Sequence, residues 1–198
     1  MPPEATNTGA ANDHELLRQF TRGKEAAFEA LYGRYQGLLY RFAWHMTGNS
    51  ATAEEVTQEA FMQLIRHPEN YDGNKGSLGG YLFGIARNLS RRALERSYSL
   101  EPASEELVEG DPADISADAD LFSYLSREEL LACLRKAVLA LPGPYREVVV
   151  LCDLEEKTYP ETAELLGCAS GTVASRLHRA RALLKNKLSC HRNDSCVK

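Results

Sequence analysis

The run from Thr158 to Arg181 constrains this chain more than any other. Thr158 and Glu161 stand three apart, as a capping box requires, and Pro160 falls in the first turn, where a missing N–H costs little. Ala163, Leu165 and Leu166 can face inward before Gly167 supplies a left-handed stop. Ser170 is then placed to cap a second helix, in which Val173, Leu177, Ala180 and Leu184 form an apolar stripe at helical spacing. The other face carries Thr172, Ser175, Arg176 and Arg179, with Arg181, Lys185 and Lys187 further along. This is the pattern of a helix-turn-helix. Inserted by its N-terminal half, the second helix would bring the first four side chains to base edges and the later cations near phosphate. An amphipathic hairpin with a solvated basic face shares the same caps and turn, so the pattern by itself admits both readings.

Charge is segregated along the chain. The formal net charge over 198 residues is -5, which as an average argues against a nucleic-acid partner. Acids crowd from Glu101 to Glu129 against the single base Arg127, whereas bases cluster at Arg87, Arg91, Arg92 and Arg96 and again from Arg176 to Lys187. Two basic patches separated by an acidic connector is the informative description.

The N-terminus lacks the basic start and apolar core of a signal peptide, and no apolar run is long enough to span a bilayer, so a cytoplasmic protein without membrane insertion is expected. The five cysteines are an odd set without a regular framework, as reduced thiols would be. Cys133, Cys152 and Cys168 fall in helical patterns and read as small core residues. Cys190, His191 and Cys196 make an incomplete zinc set, so no metal and no cofactor is expected; a sensing tail is the rival reading.

The periodicity predicts an all-α protein of two small helical domains joined by a flexible acidic linker. Residues 1–12 read as a disordered N-terminus, 13–97 as a four-helix domain, 98–126 as the linker, 127–188 as the helix-turn-helix domain and 189–198 as a tail. In the first domain Asp13 is placed to cap a helix ending near Gly23, and Ser50 or Thr52 to cap the third. Val56, Ala60, Phe61, Leu64 and Ile65 are expected inward on that third helix, which stops at His67-Pro68. A turn-rich loop over 71–76 leads into a fourth helix with Leu78, Leu82, Ile85, Ala86, Leu89 and Ala93 on one side.

Three ordered runs carry a family resemblance. Residues 53–61 (AEEVTQEAF) resemble the polymerase-binding helix of bacterial sigma factors, and 77–88 (SLGGYLFGIARN) the promoter-melting segment. Residues 141–149 (LPGPYREVV) with 171–181 (GTVASRLHRAR) resemble the C-terminal DNA-reading domain. With two domains and a short linker, the chain is similar to the extracytoplasmic-function (group 4) sigma-70 family over nearly all of residues 15–188. It departs from the family in having Tyr81 where a tryptophan is usual, and Arg92 where many members are acidic.

The resemblance implies that core RNA polymerase and promoter DNA are the partners, with an anti-sigma factor as regulator. It makes Glu55, Gln58 and Glu59 part of a polymerase-docking surface; on residue type alone they would be a solvated acidic face. It assigns Asn74, Lys75 and Asn88 to bases, and Arg87, Arg91 and Arg92 to phosphate, of the -10 element. Strand capture there repays the cost of unstacking. Thr172, Ser175, Arg176 and Arg179 would read the -35 element. Tyr81 is read as a core aromatic and His178 as an ordinary exposed histidine. An enzyme is not expected, since no phosphate loop, zinc motif or nucleophile elbow is present. The rival is a helix-turn-helix regulator acting without core polymerase, which predicts a dimer on a palindrome.

Overall fold

The computed structural model describes the backbone of residues 8–100 and 127–194, and side chains over 13–96 and 127–188. Every regular element among them is helical. Helices α1 (Thr8–Thr21), α2 (Glu25–Thr47), α3 (Ser50–Arg66) and α4 (Leu78–Leu100) form one unit; α5 (Arg127–Leu139), α6 (Gly143–Val149), α7 (Tyr159–Leu166) and α8 (Ser170–Asp194) form the other.

Local chemistry sets most boundaries. Gly48, at φ 71°, terminates α2 in the left-handed region and returns its N–H to the Trp44 carbonyl. The cap of α3 is Asn49, one residue before the expected Ser50: its backbone is extended, and its side chain accepts from the Thr52 N–H at 3.0 Å. Helix α1 starts at Thr8, earlier than expected. Asp13 is therefore no cap. It is buried within the helix, where it accepts hydrogen bonds from the Tyr35 hydroxyl and the Arg34 guanidinium.

The core of the first unit joins Leu31, Leu39 and Phe42 of α2, Val56, Phe61 and Leu64 of α3, and Leu78, Leu82 and Phe83 of α4. Phe42 and Phe83 stack with ring centroids 4.2 Å apart, so burial on α4 extends past the single stripe expected. Ile65, expected inward, lies exposed because Leu64 takes the inward position of that turn. In the second unit α6 runs on through a π-helical turn over Val150–Leu154, and the stretch from Arg146 to Leu151 is buried, α6 against α8.

The two helical units do not stand apart as a tethered pair. Helix α4 packs on α7, and α2 packs on α5 and the π-helical turn, so one apolar core runs through both. Arg146 of α6 is 3% exposed and donates to carbonyls on both sides of the seam: Leu139 and Leu141 in its own unit, and Met46 at the end of α2, at 2.5 Å. The sequence contains no periodic signal for this seam. The acidic run over 101–126 lies outside the described residues. No helix among the described residues is long and apolar enough to cross a membrane.

Candidate nucleic-acid interface

The helix-turn-helix is built as its residues dictate. Thr158 Oγ1 accepts from the Glu161 N–H while the Glu161 carboxylate accepts from the Thr158 N–H at 2.8 Å, a closed capping box. The Thr158 hydroxyl also donates to that carboxylate at 2.7 Å, and this bond, followed by the one from the Thr158 N–H, holds the Glu161 carboxyl below its usual range. Gly167, at φ 63°, ends α7, and α8 starts at Ser170 with its first turn closing on the Ala169 carbonyl rather than on a Ser170 cap. Val173, Leu177 and Ala180 are buried and Leu184 is half-buried, as the stripe requires.

On the outer face of α8, Ser175 and Arg179 are exposed, and Thr172 and Arg176 are half-buried. Ser175 Oγ donates back to the Thr172 carbonyl at 3.1 Å. Arg181 turns aside. Its Nη2 lies 2.6 Å from the Asp153 carboxylate, which takes it out of the run of later cations.

The second basic face lies on α4 and the loop before it. Asp72 organises that loop: its carboxylate accepts from the Asn74 N–H at 3.0 Å and lies 3.4 Å from Lys75 Nζ. The Asn74 N–H bond is the main reason the Asp72 carboxyl sits below its usual range. Tyr71 donates to the Gly76 carbonyl, and Ser77 Oγ accepts from the Gly80 N–H, capping α4. Asn74 and Lys75 are exposed in the loop; Asn88, Arg91 and Arg92 are exposed about three to four turns into α4. Arg91 lies 3.6 Å from Glu95, four residues on. Tyr81 is half-buried against Tyr71, with centroids 5.7 Å apart.

Arg87 differs from its neighbours. Its Nε donates to Glu147 Oε1 at 2.7 Å, and the Glu147 side chain is 6% exposed. A groove of about 760 Å³ lies between this part of α4, the 70–77 loop and the α7–α8 turn.

On α3, Glu55 and Gln58 are exposed and Glu59 is half-buried, 3.6 Å from Arg66. Met62 and Ile65 are also exposed and follow Glu55 and Gln58 at seven-residue spacing, so they continue the same face. Sequence reasoning left both out of this surface. The i, i+7 relation to the acids was the available signal. Cys133, Cys152 and Cys168 are free and half-buried, and burial pushes the Cys152 thiol up. No group among the described residues could hold a metal ion, and the side chains of Cys190, His191 and Cys196 lie outside them.

Cation-bearing faces on two helical units, one of them a helix-turn-helix, are features of the class of nucleic-acid-binding proteins. The first unit matches the family model for sigma-70 region 2 over residues 31–99, and the second that for sigma-70 region 4 over 131–184. The chain is 33% identical over 181 residues to the ECF RNA polymerase sigma factor SigE of Mycolicibacterium smegmatis, covering 87% of this chain and 67% of the relative. It is 30% identical over 178 residues to SigW of Bacillus subtilis, covering 87% and 94%.

Two solved structures share the fold. The sigma factor RpoE of Bartonella quintana, crystallised with the anti-sigma factor NepR, aligns with TM-score 0.57 at 23% identity, covering 82% of this chain and 96% of that one. CnrH in complex with the cytosolic domain of CnrY aligns at 0.63 and 24% identity, covering 90% and 98%. The chain belongs to the extracytoplasmic-function sigma-70 family of RNA polymerase sigma factors, which direct polymerase to promoters and are not enzymes.

Proposed function

We propose that the two units divide promoter reading between them. The outer face of α8, with Thr172, Ser175, Arg176 and Arg179, enters the major groove of the -35 element. Asn74, Lys75 and Asn88 capture bases of the melted -10 strand, while Arg87, Arg91 and Arg92 hold its phosphates. The α3 face with Glu55, Gln58 and Glu59 docks on core polymerase. Charge complementarity there speeds and orients assembly more than it adds affinity. The observation that carries this reading is the exposure of amide and guanidinium groups along one run of the 71–77 loop and α4, on a unit separate from the helix-turn-helix.

Polymerase and promoter place this work in the cytoplasm. The chain is held in check by an anti-sigma partner, as the complex of Bartonella quintana RpoE with the anti-sigma factor NepR suggests for a related fold. Transcription in vitro from a genomic fragment library, with core polymerase with and without this chain, is the direct test. Transcripts that require the chain and start from asymmetric sites support the reading. Binding as a dimer to palindromes without polymerase would refute it.

A further inference from the structure

The 71–77 loop that presents Asn74 and Lys75 is largely exposed and contains two glycines, a composition that by itself leaves many backbone arrangements open. Asp72 shapes its turn. The Asp72 carboxylate accepts from the backbone N–H and the side-chain amide of Asn74, at 3.0 and 3.1 Å, and its carbonyl accepts from the Lys75 N–H at 2.9 Å. These bonds lie within the loop, so they do not fix where the turn stands relative to α4.

Two contacts from outside the loop do. A Cβ built at Gly73, within the loop, would come 3.1 Å from His14 Cδ2 of α1. One built at Gly79, in the first turn of α4, would come 2.9 Å from Tyr35 Cε1 of α2, too close for any side chain, so glycine lets that ring lie against the helix start. The two gripping side chains share an anchor. Asp13, the neighbour of His14, is 2% exposed and accepts from the Tyr35 hydroxyl and from Arg34, which fastens the ring at Gly79 to the turn of α1 that carries His14. Inside the loop, Tyr71 donates to the Gly76 carbonyl at 3.2 Å. Burial first, then the Asp13 charge, pushes the Tyr71 hydroxyl up and keeps it a donor.

We infer that Asp13, His14 and Tyr35 are positioning residues for the base reading assigned to Asn74 and Lys75: they touch no DNA, and they hold the loop in the arrangement in which its polar groups meet an unstacked base of the -10 strand. This role builds on that assignment and adds three residues that no run of cations or amides singles out. The physical reason is selectivity. A loop free to shift can follow a wrong base and recover part of its hydrogen bonds, whereas a braced loop leaves the mismatched groups unpaired, and the difference is the discrimination. Bracing also removes the ordering cost that a free loop meets on binding.

The test uses holoenzyme formed from core polymerase and the full-length chain, on a promoter found by the library transcription described above. Competition binding of fork-junction DNA, with each unpaired -10 base varied in turn, gives the affinity ratio between right and wrong base at every position. Asn74→Ala and Lys75→Ala locate the positions that the loop reads. There, His14→Ala and Tyr35→Phe are each expected to lower the ratio about fivefold, the scale of one hydrogen bond, with -35 discrimination and affinity for core polymerase unchanged. Gly79→Ala, which forces the Tyr35 ring back, is expected to do the same. Unchanged ratios in both His14→Ala and Tyr35→Phe overturn the positioning role. So does an equal loss of affinity for every base and for the -35 element, which marks a smaller folded fraction. Should Asn74→Ala and Lys75→Ala alter no ratio at any -10 position, the base-reading assignment falls and takes the bracing with it. Altered ratios there, with wild-type ratios in the bracing variants, overturn the bracing alone.

Discussion

The Tyr35 hydroxyl on α2 donates to the buried carboxylate of Asp13 on α1, and this contact ties the first helix to the second beside the 71–77 loop. The environment is compact: a Cβ built at Gly73 of that loop would lie 3.1 Å from His14, the neighbour of Asp13. Burial, followed by the Asp13 hydrogen bond, pushes the Tyr35 hydroxyl well above its ordinary range.

Asp13→Ala should therefore destabilise the first unit by about 2 kcal/mol, the scale of a buried hydrogen bond to a charged group. Tyr35→Phe should cost less, because Asp13 keeps its contact with Arg34. Urea unfolding midpoints at neutral pH would rank the two, and equal stability of Asp13→Ala and wild type would refute the tie.

The capping box makes a local and pH-dependent prediction. Thr158→Ala should cost about 1 kcal/mol. Glu161 titrates below its unfolded value, so its contribution is present above the ordinary carboxylate range and is lost as pH falls through the depressed folded value. The stability gap between wild type and Glu161→Gln, read from melting temperatures, should narrow between pH 6 and the acid end.

His45 acts at the seam with the opposite ion. Burial is the main reason its imidazole titrates low; Glu155 opposes the effect, and Arg135 and Arg41 reinforce it. The neutral form is thus favoured in the folded chain. As pH falls below the ordinary histidine range, the unfolded chain takes up a proton that the folded chain resists, and stability drops. Urea midpoints at pH 7.5 and pH 5.5 should differ more in wild type than in His45→Gln.

Arg176→Ala should reduce discrimination between matched and scrambled -35 duplexes by about 1–3 kcal/mol if the arginine pairs with a base. Arg179→Ala, at an exposed position, serves as the comparison: a loss that is equal across sequences marks a phosphate contact. Competition binding with both duplexes separates the outcomes.

Reversing charge on α3 through Glu55→Lys with Gln58→Lys should slow association with core polymerase at least tenfold at low salt and less at high salt, since both positions are exposed. Stopped-flow association at two ionic strengths measures this. Met62→Ala should instead speed dissociation if the apolar side chains on the same face are covered by polymerase.

The elements legible in the sequence are those whose cause lies within one or two helical turns. Thr158, Glu161 and Gly167 set the start and stop of α7 wherever that segment sits, because a cap is satisfied by its own backbone. The stripe of Val173, Leu177 and Ala180 follows from helical period. The outward faces of α4 and α8 follow from the same rule, which is why most candidate contacts are exposed. Ile65 was misplaced and Phe83 left out of the core because period alone does not say how many neighbours a helix has.

The seam was decided by tertiary structure alone. Arg87 meets Glu147 across 60 positions of sequence, Arg146 meets the Met46 carbonyl across 100, and Arg41 meets Glu155 across 114. No spacing encodes such pairs, since any cation on a helix face can find any acid that packing brings within reach. The amino-acid sequence by itself determined the helices and the faces on which their cations stand. How much of the α4 face is exposed depends on where the second unit rests, and that is set by long-range burial rather than by local pattern.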